Sequence, residues 1–386
     1  MTTRSAIEKP RYLFIDLYRG LVILMMLQGH TFRAILDNKI INTALFQFHD
    51  FFHGVSAPAF LFGAGLTFVL STRKRWEDYH HWDPPLARRF GRLMIILMLA
   101  YIIHLPFMSA RKLILESSHQ DYLVFFQSDV LQCIGFGLLA LHGLVFFFKT
   151  ERRFYGLVLA ATIAIPLLTP LIWDVDLLKY YPPFISQLLN NKYGSLYPLL
   201  PFMGFLFVGV LVSWEFMLAV EHKREKRFMQ RFFILGPVFI IAGLILDAVP
   251  FQVYPTYNFW YTSPNYFLIR VGSLLLILGS IWFAVEKIKK PPRWITILGK
   301  ESLLIYVIHL PILYGSVINP GYSIAALFGS RLNLFEAMSV FVFLTVFMIA
   351  LAFLWDYLKR EKYNIYRIIQ LSAAAIFFII FFTLEY

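Results

Sequence analysis

The sequence predicts an all-α polytopic integral membrane protein of about 11 transmembrane helices (10–12), with its N-terminus in the cytoplasm. Three observations carry this. Of the 386 residues, 59% are hydrophobic, 18% aromatic and only 15% charged, and the mean hydropathy is +0.65, a balance far from that of soluble domains. Apolar runs of about 20 residues, the length a helix needs to cross a bilayer, recur along the whole chain. Lys and Arg gather in alternate connecting segments, as they do when positive loops stay cytoplasmic.

Windows of that length place the spans at 13–34, 51–72, 90–108, 128–148, 155–174, 196–219, 232–250, 266–286, 294–316, 335–357 and 364–384. The first holds Asp16, Arg19 and His30 and has no small-residue cleavage site, so it reads as a retained helix and not as a leader. The second begins at His49, Asp50 and His53. Arg88, Arg89 and Arg92 open the third, which closes on His104. The fourth starts with Asp129 and Gln132 and contains the lone Cys133. Arg270 lies in the eighth, Lys300 and His309 in the ninth, and the remaining windows rest on hydropathy. No soluble boundary interrupts the series, so residues 1–386 read as a single membrane-embedded domain.

Orientation follows from the basic residues. With the N-terminus inside, the cytoplasmic segments hold 25 of the 35: Arg4, Lys9 and Arg11, six from Arg73 to Arg92, three from Lys149 to Arg153, five from Lys223 to Arg231, four from Lys287 to Arg293 and four from Lys359 to Arg367. Seven fall on the other side, and Arg19, Arg270 and Lys300 lie within spans. This distribution also accounts for the net charge of +12. It flanks hydrophobic helices and forms no groove-shaped patch, which argues against nucleic acid as a partner. A single cysteine excludes an intrachain disulfide and a cysteine metal cluster.

Ionisable groups inside a bilayer are expensive and usually serve a purpose. Arg19 and His30 are eleven residues apart, about 1100° or roughly 20° past three turns, so they share one stripe about 16 Å long. Such a stripe would hold a long charged molecule lengthwise with a base at its tip. Asp16 and Arg19 have the i, i+3 spacing that neutralises a buried guanidinium. With the N-terminus inside, His30, His49, Asp50, His53, His104, Asp129, Gln132 and His309 all fall toward the extracytoplasmic ends. The bland alternative for each is a headgroup-level residue or a cap on a neighbouring carbonyl.

Ser302, Tyr306 and His309, spaced i, i+4, i+7, form one polar stripe on an otherwise apolar helix. The phrase Tyr306-Val307-Ile308-His309-Leu310-Pro311 echoes Tyr101-Ile102-Ile103-His104-Leu105-Pro106, although six residues do not establish a repeat. His49 and His53 have the spacing of a helical zinc pair, but the acid beside the first is Asp50, not Glu, and no third ligand is signalled, so no metal is expected. Asp50 or His49 suits a partner that orients His30, or a substrate contact. His80-His81-Trp82-Asp83 reads as a polar cytoplasmic turn.

Arg88, Arg89 and Arg92 fit either positive-inside anchoring or forked binding of phosphates. The outer loop from Phe251 to Tyr266 holds seven aromatics in sixteen positions, Trp260 among them. They suit an interfacial belt or a platform for stacking on a sugar ring. The longer loop from Asp174 to Ser195 is a candidate lid.

Several phrases resemble a known family. IDLYRGLVILMMLQGH (15–30), with its Arg-x10-His pattern, resembles membrane acyltransferases of the acyltransferase-3 superfamily. HGVSAPAFLFGAGLTF (53–68), DVLQCIGFGLL (129–139), YPLLPFMGFLFVGVLVS (197–213) and LGKESLLIYVIHLP (298–311) are similar to the heparan-α-glucosaminide N-acetyltransferase catalytic-domain family, in the same order. The resemblance implies an enzyme using cytoplasmic acetyl-CoA or another acyl-CoA as donor. The acceptor it implies is an extracytoplasmic glycan, amino sugar or glycolipid. His30 would be the catalytic histidine and Arg19 its motif partner. Because the family's lysosomal member has a key histidine in the loop between the first two spans, His49 or His53 stands as an alternative.

The mechanism expected from these residues has His30 as general base on an acceptor hydroxyl or amine, a task that suits an imidazole. Arg88, Arg89 and Arg92 would hold CoA phosphates, Arg19 would steady the donor, and Gln132, His309, His53, Tyr306 and Trp260 would contact substrate. A covalent acyl-histidine is equally compatible. A secondary transporter of a small anionic or sugar-like solute is the rival reading. The compact unit points to a bacterial inner membrane, and its apolar faces permit a homodimer without predicting one.

Overall fold

The computed structural model describes residues 12–81, 83–251, 253–254, 256–288, 290–319 and 321–385. Arg4, Lys9, Arg11, Trp82 and Lys289 lie outside them. Among the described residues the regular secondary structure is helical, with a single isolated bridge between Leu36 and Leu332. The principal helices are α1 (Leu13–Ile35), α2 (Ala44–His53), α3 (Ser56–Thr72), α4 (Pro84–Ile103), α5 (Val130–Phe147), α6 (Glu151–Ile172) and α7 (Leu199–Glu221). They continue as α8 (Phe232–Ala248), α9 (Pro264–Ile288), α10 (Arg293–Lys300), α11 (Ser302–Tyr314), α12 (Leu334–Glu361) and α13 (Tyr363–Thr383).

Among the described residues nine helical segments are long and apolar enough to cross a membrane: Leu13–Ile35, Ala44–Arg75, Val130–Phe147, Glu151–Ile172, Leu199–Glu221, Glu225–Ala248, Pro264–Ile288, Leu334–Glu361 and Tyr363–Thr383. Two expected spans differ. The window at 90–108 becomes α4, whose first half carries Arg88, Arg89 and Arg92 and whose apolar part stops at Ile103, where His104 caps the helix. The window at 294–316 is not one rod but α10 and α11, bent by 83°. Lys300 and Glu301 would otherwise put charge in mid-helix. At the break Lys300 pairs with Asp356 of α12, and Lys359 of α12 pairs with Glu301. Arg360 also pairs with Asp356, so both buried carboxylates are held by cations.

Helix starts follow local chemistry. Thr43 accepts from Phe46 N ahead of α2, and Asp83 accepts from Leu86 N with prolines at the first turn of α4. Asp129 and Gln132 form a capping box on α5, as do Asn333 and Glu336 on α12. α1 is the central strut. It packs on α3, α10, α11 and α12, and its buried face includes Tyr18, Ile23, Leu27 and Ile35. α3 lies along α7, and α8 along α9. α13 exposes Ile368, Leu371, Ile379 and Phe382, the surface a lipid-facing helix presents.

α10 meets α1 at backbone distance. A Cβ on Gly20 would fall on the Ile295 backbone, and one on Gly299 on the Asp16 carbonyl. This contact sets the position of the α10–α11 break beside Arg19. Gly299→Val should therefore lower stability by about 1–3 kcal/mol through overpacking. Thermal unfolding in detergent checks this, with Gly91→Ala, where a Cβ meets nothing within 4 Å, expected to unfold at or above the wild-type temperature.

Candidate active site

The polar stripe of α11 makes three contacts. Arg19 Nη2 donates to Ser302 Oγ at 2.6 Å. The Tyr306 hydroxyl donates to Asp129 Oδ2 at 2.6 Å. His30 Nδ1 lies 3.0 Å from His309 Nε2, with the rings stacked at 5.1 Å. Two residues of α1 and the N-cap of α5 are thus fixed by one face of α11, as the i, i+4, i+7 spacing anticipates.

The hydrogen bonds assign the histidine tautomers. His309 Nδ1 lies 2.9 Å from the Ile305 carbonyl oxygen, which only accepts, so Nδ1 carries the proton. Neutral His309 then offers a lone pair at Nε2, and His30 Nδ1 must donate to it. His30 is left with its lone pair on Nε2, which has no protein partner among the described residues and is not sealed away from solvent. An imidazole oriented through one nitrogen and open at the other has the arrangement of a general base.

His30 borders a cavity of about 640 Å³ together with Arg33, Asp50, His53, Trp260 and Arg270. Phe51 and Tyr261 add aromatic surface. A second cavity, about 230 Å³, lies nearer the start of α1 and is bordered by Arg19, Ser302 and Tyr306 among apolar side chains such as Phe60 and Leu131. On α3, Ala57 borders the first and Phe60 the second, one helical turn apart. The Tyr306–His309 turn of α11 stands between them.

Other expected roles change. Gln132 is fully buried. Its Oε1 accepts from Asp129 N, its Nε2 donates to the Ala100 carbonyl, and it borders neither cavity. Asp50 pairs with Arg33 and not with His30. His49 Nε2 meets Gln28 Oε1 at 3.1 Å, and His53 Nε2 donates to the Met25 carbonyl at 2.6 Å. The His53 ring lies where Gly29 lacks a side chain. His309, fully buried, touches His30 and not the cavity, so it orients the His30 ring. Tyr306 spends its hydroxyl on Asp129, although its ring borders the smaller cavity.

Arg89 donates to the Ser71 carbonyl at 2.9 Å and lies over the Tyr79 ring, whereas Arg88 and Arg92 are exposed. Asp16 and Glu301 both act on Arg19 through space. Trp260 borders the larger cavity. The two His-Leu-Pro phrases fold differently: Tyr306 to Pro311 runs on as helix, while Tyr101 to Pro106 breaks at His104. They nevertheless meet at Asp129, whose Oδ2 is 3.8 Å from His104 Nε2. The 174–195 loop is tied by Asn190 to the Ile172 and Val175 carbonyls and by a Tyr193 hydroxyl bond to Asp176 that holds this carboxyl below the usual carboxylate range. It reads as a folded cap, with Asn191 at the cavity edge.

In the sequence Arg270 stands only as a charge within a span. Its signal was legible: no acid stands at i±3 or i±4 to neutralise it. The partnership of His30 with His309 had no sequence signal, since the two are 279 residues apart.

Residues 11–244, more than half of the chain, match the family model described as heparan-alpha-glucosaminide N-acetyltransferase, catalytic. No curated protein matches the chain. The chain belongs to the heparan-alpha-glucosaminide N-acetyltransferase catalytic family, an acetyltransferase family, and its apolar helices make it an integral membrane protein. The match takes in Arg19, His30 and Asp129; the α11 stripe lies beyond it.

Asp129 joins a helix cap to the Tyr306 bond. Asp129→Ala loses both and should cost about 2 kcal/mol or more. Asp129→Asn keeps one accepting oxygen for the cap and turns an N–H donor toward the Tyr306 hydroxyl, which can accept instead, so it should unfold closer to wild type than Asp129→Ala in the same thermal assay.

Proposed function

From that membership we propose that the whole chain is one embedded acyltransferase unit that moves an acetyl group from cytoplasmic acetyl-CoA to an amine or hydroxyl of an extracytoplasmic glycan, with His30 as general base. The observation that carries this reading is the Ile305–His309–His30 hydrogen-bond chain, which leaves an unshared His30 nitrogen at a 640 Å³ cavity. The Lys and Arg distribution supports a cytoplasmic N-terminus. The Arg19 end of α1 then faces the cytoplasm, and the His30 cavity faces outward.

The residues divide the work accordingly. Exposed Arg88 and Arg92 suit the donor's phosphates at the inner face. Arg19, clasped to Ser302, borders the smaller cavity through which the thioester end would reach the site. The acceptor occupies the larger cavity, where Trp260 and Tyr261 offer ring faces to a sugar. As the acceptor nitrogen or oxygen attacks the thioester carbonyl, His30 Nε2 takes its proton. The C–S bond breaks, and the proton leaves His30 for the departing thiolate. His309 holds the ring throughout, and its acceptance of the Nδ1 proton stabilises the imidazolium that forms.

Purified protein in detergent, supplied with labelled acetyl-CoA and a panel of amino sugars and glycolipids, tests this. His30→Ala should lose transfer while remaining folded. His309→Ala should lower kcat by about 10²-fold or more with KM for acetyl-CoA nearly unchanged. His309→Gln, which restores an acceptor to His30, should recover part of the loss. Transfer by His30→Ala at the wild-type rate would contradict the assignment.

A further inference from the structure

Arg270 is 7% exposed, on the second turn of the apolar helix α9, and borders the same cavity as His30. Its Nη2 donates to the Trp260 carbonyl at 3.1 Å, and its Cζ lies 4.0 Å from the centroid of the Tyr266 ring. Its Nε is buried without a partner. Among the described residues no carboxylate stands within ion-pair distance of it. The other charged groups bordering this cavity, Arg33 and Asp50, neutralise each other. The cavity therefore carries one uncompensated positive charge.

Holding the Trp260 loop against α9 does not explain that charge, since a neutral amide donates to a carbonyl equally well. A guanidinium at this depth costs several kcal/mol unless an anion offsets it. A ring bordering only Trp260, Tyr261 and Phe51 supplies none. The cost is recovered when a ligand brings the anion.

Resting on the acceptor role of this cavity, we propose that the acceptor is anionic and that its carboxylate or phosphate pairs with Arg270 while the group to be acetylated faces His30. The aromatic wall takes the sugar ring, Arg270 fixes its charged end, and the two together set which hydroxyl or amine reaches the base. The pair would form on a guanidinium that is itself almost wholly buried, and with both partners charged its hydrogen bonds are charge-assisted on both sides.

The test measures binding without acyl-CoA, by calorimetry on the full chain in detergent. Matched pairs serve as probes: glucuronate and glucose 6-phosphate against glucose, and farnesyl phosphate against farnesol. Wild type should bind the anionic member about ten- to hundredfold more tightly. Arg270→Gln should bring each pair to near equality with binding of the neutral member unchanged. The double variant Arg33→Gln/Asp50→Asn, which keeps Arg270 as the one charge, should retain the preference, and it decides the matter if Arg270→Gln does not fold. A preference among sugars alone identifies a glycan carboxylate or phosphate, and one shared by farnesyl phosphate a lipid-linked phosphate. Equal binding by wild type, a preference that survives in Arg270→Gln, or one lost in the double variant would overturn the proposal. Anion binding intact with no acetyl transfer would instead count against the acetyltransferase reading alone.

Discussion

Polar side chains inside a membrane must find partners within the protein, and here one face of α11 supplies them. Ser302, Tyr306 and His309 answer Arg19, Asp129 and His30. Each of these groups, left alone in hydrocarbon, would cost several kcal/mol. Their joint satisfaction fixes α11 against α1 and α5. The 83° break before α11 belongs to the same constraint. A straight helix would carry Lys300 and Glu301 into apolar surroundings, whereas the bend delivers them to Asp356 and Lys359. The backbone contact of Gly20 with α10 lets the break lie beside Arg19.

The chemistry follows from the packing. Because the Ile305 carbonyl can only accept, the proton positions along the His309–His30 pair are determined, and the open nitrogen falls on the cavity side. In the proposed mechanism stability and catalysis would thus use the same hydrogen bonds, with His309, which borders neither cavity, orienting the ring that would act as base. In the proposed reaction the 640 Å³ and 230 Å³ cavities, one turn apart on α3, would give acceptor and donor separate approaches to that nitrogen.

Groups related by helical spacing were legible in the sequence. The Arg19–His30 stripe and the Ser302–Tyr306–His309 stripe each lie on one helix, where 3.6-residue geometry suffices. Their pairing across the bundle was not, because no local rule relates residues nearly 280 positions apart. Competition among polar groups was equally hidden. Gln132 has the chemistry of a substrate ligand, yet the start of α5 claims its oxygen and the end of α4 its amide. Arg33 claims Asp50 in the same way. Hydropathy found α10 and α11 as a single window because it averages over charge, and a break that satisfies two charges leaves the average untouched. The family phrases at 15–30, 53–68, 129–139 and 197–213 fall within the 11–244 match, while that at 298–311, which holds His309, lies outside it.

In the proposed reaction His30 joins a donor from one side of the membrane to an acceptor on the other. The most direct measurement uses sealed proteoliposomes of known orientation, with labelled acetyl-CoA inside or outside and a membrane-impermeant acceptor on one face only. Label should appear on the acceptor when acetyl-CoA is on the N-terminal face and the acceptor on the opposite face, and in none of the other three arrangements. Transfer with donor and acceptor on the same face, or with the faces reversed, would contradict it.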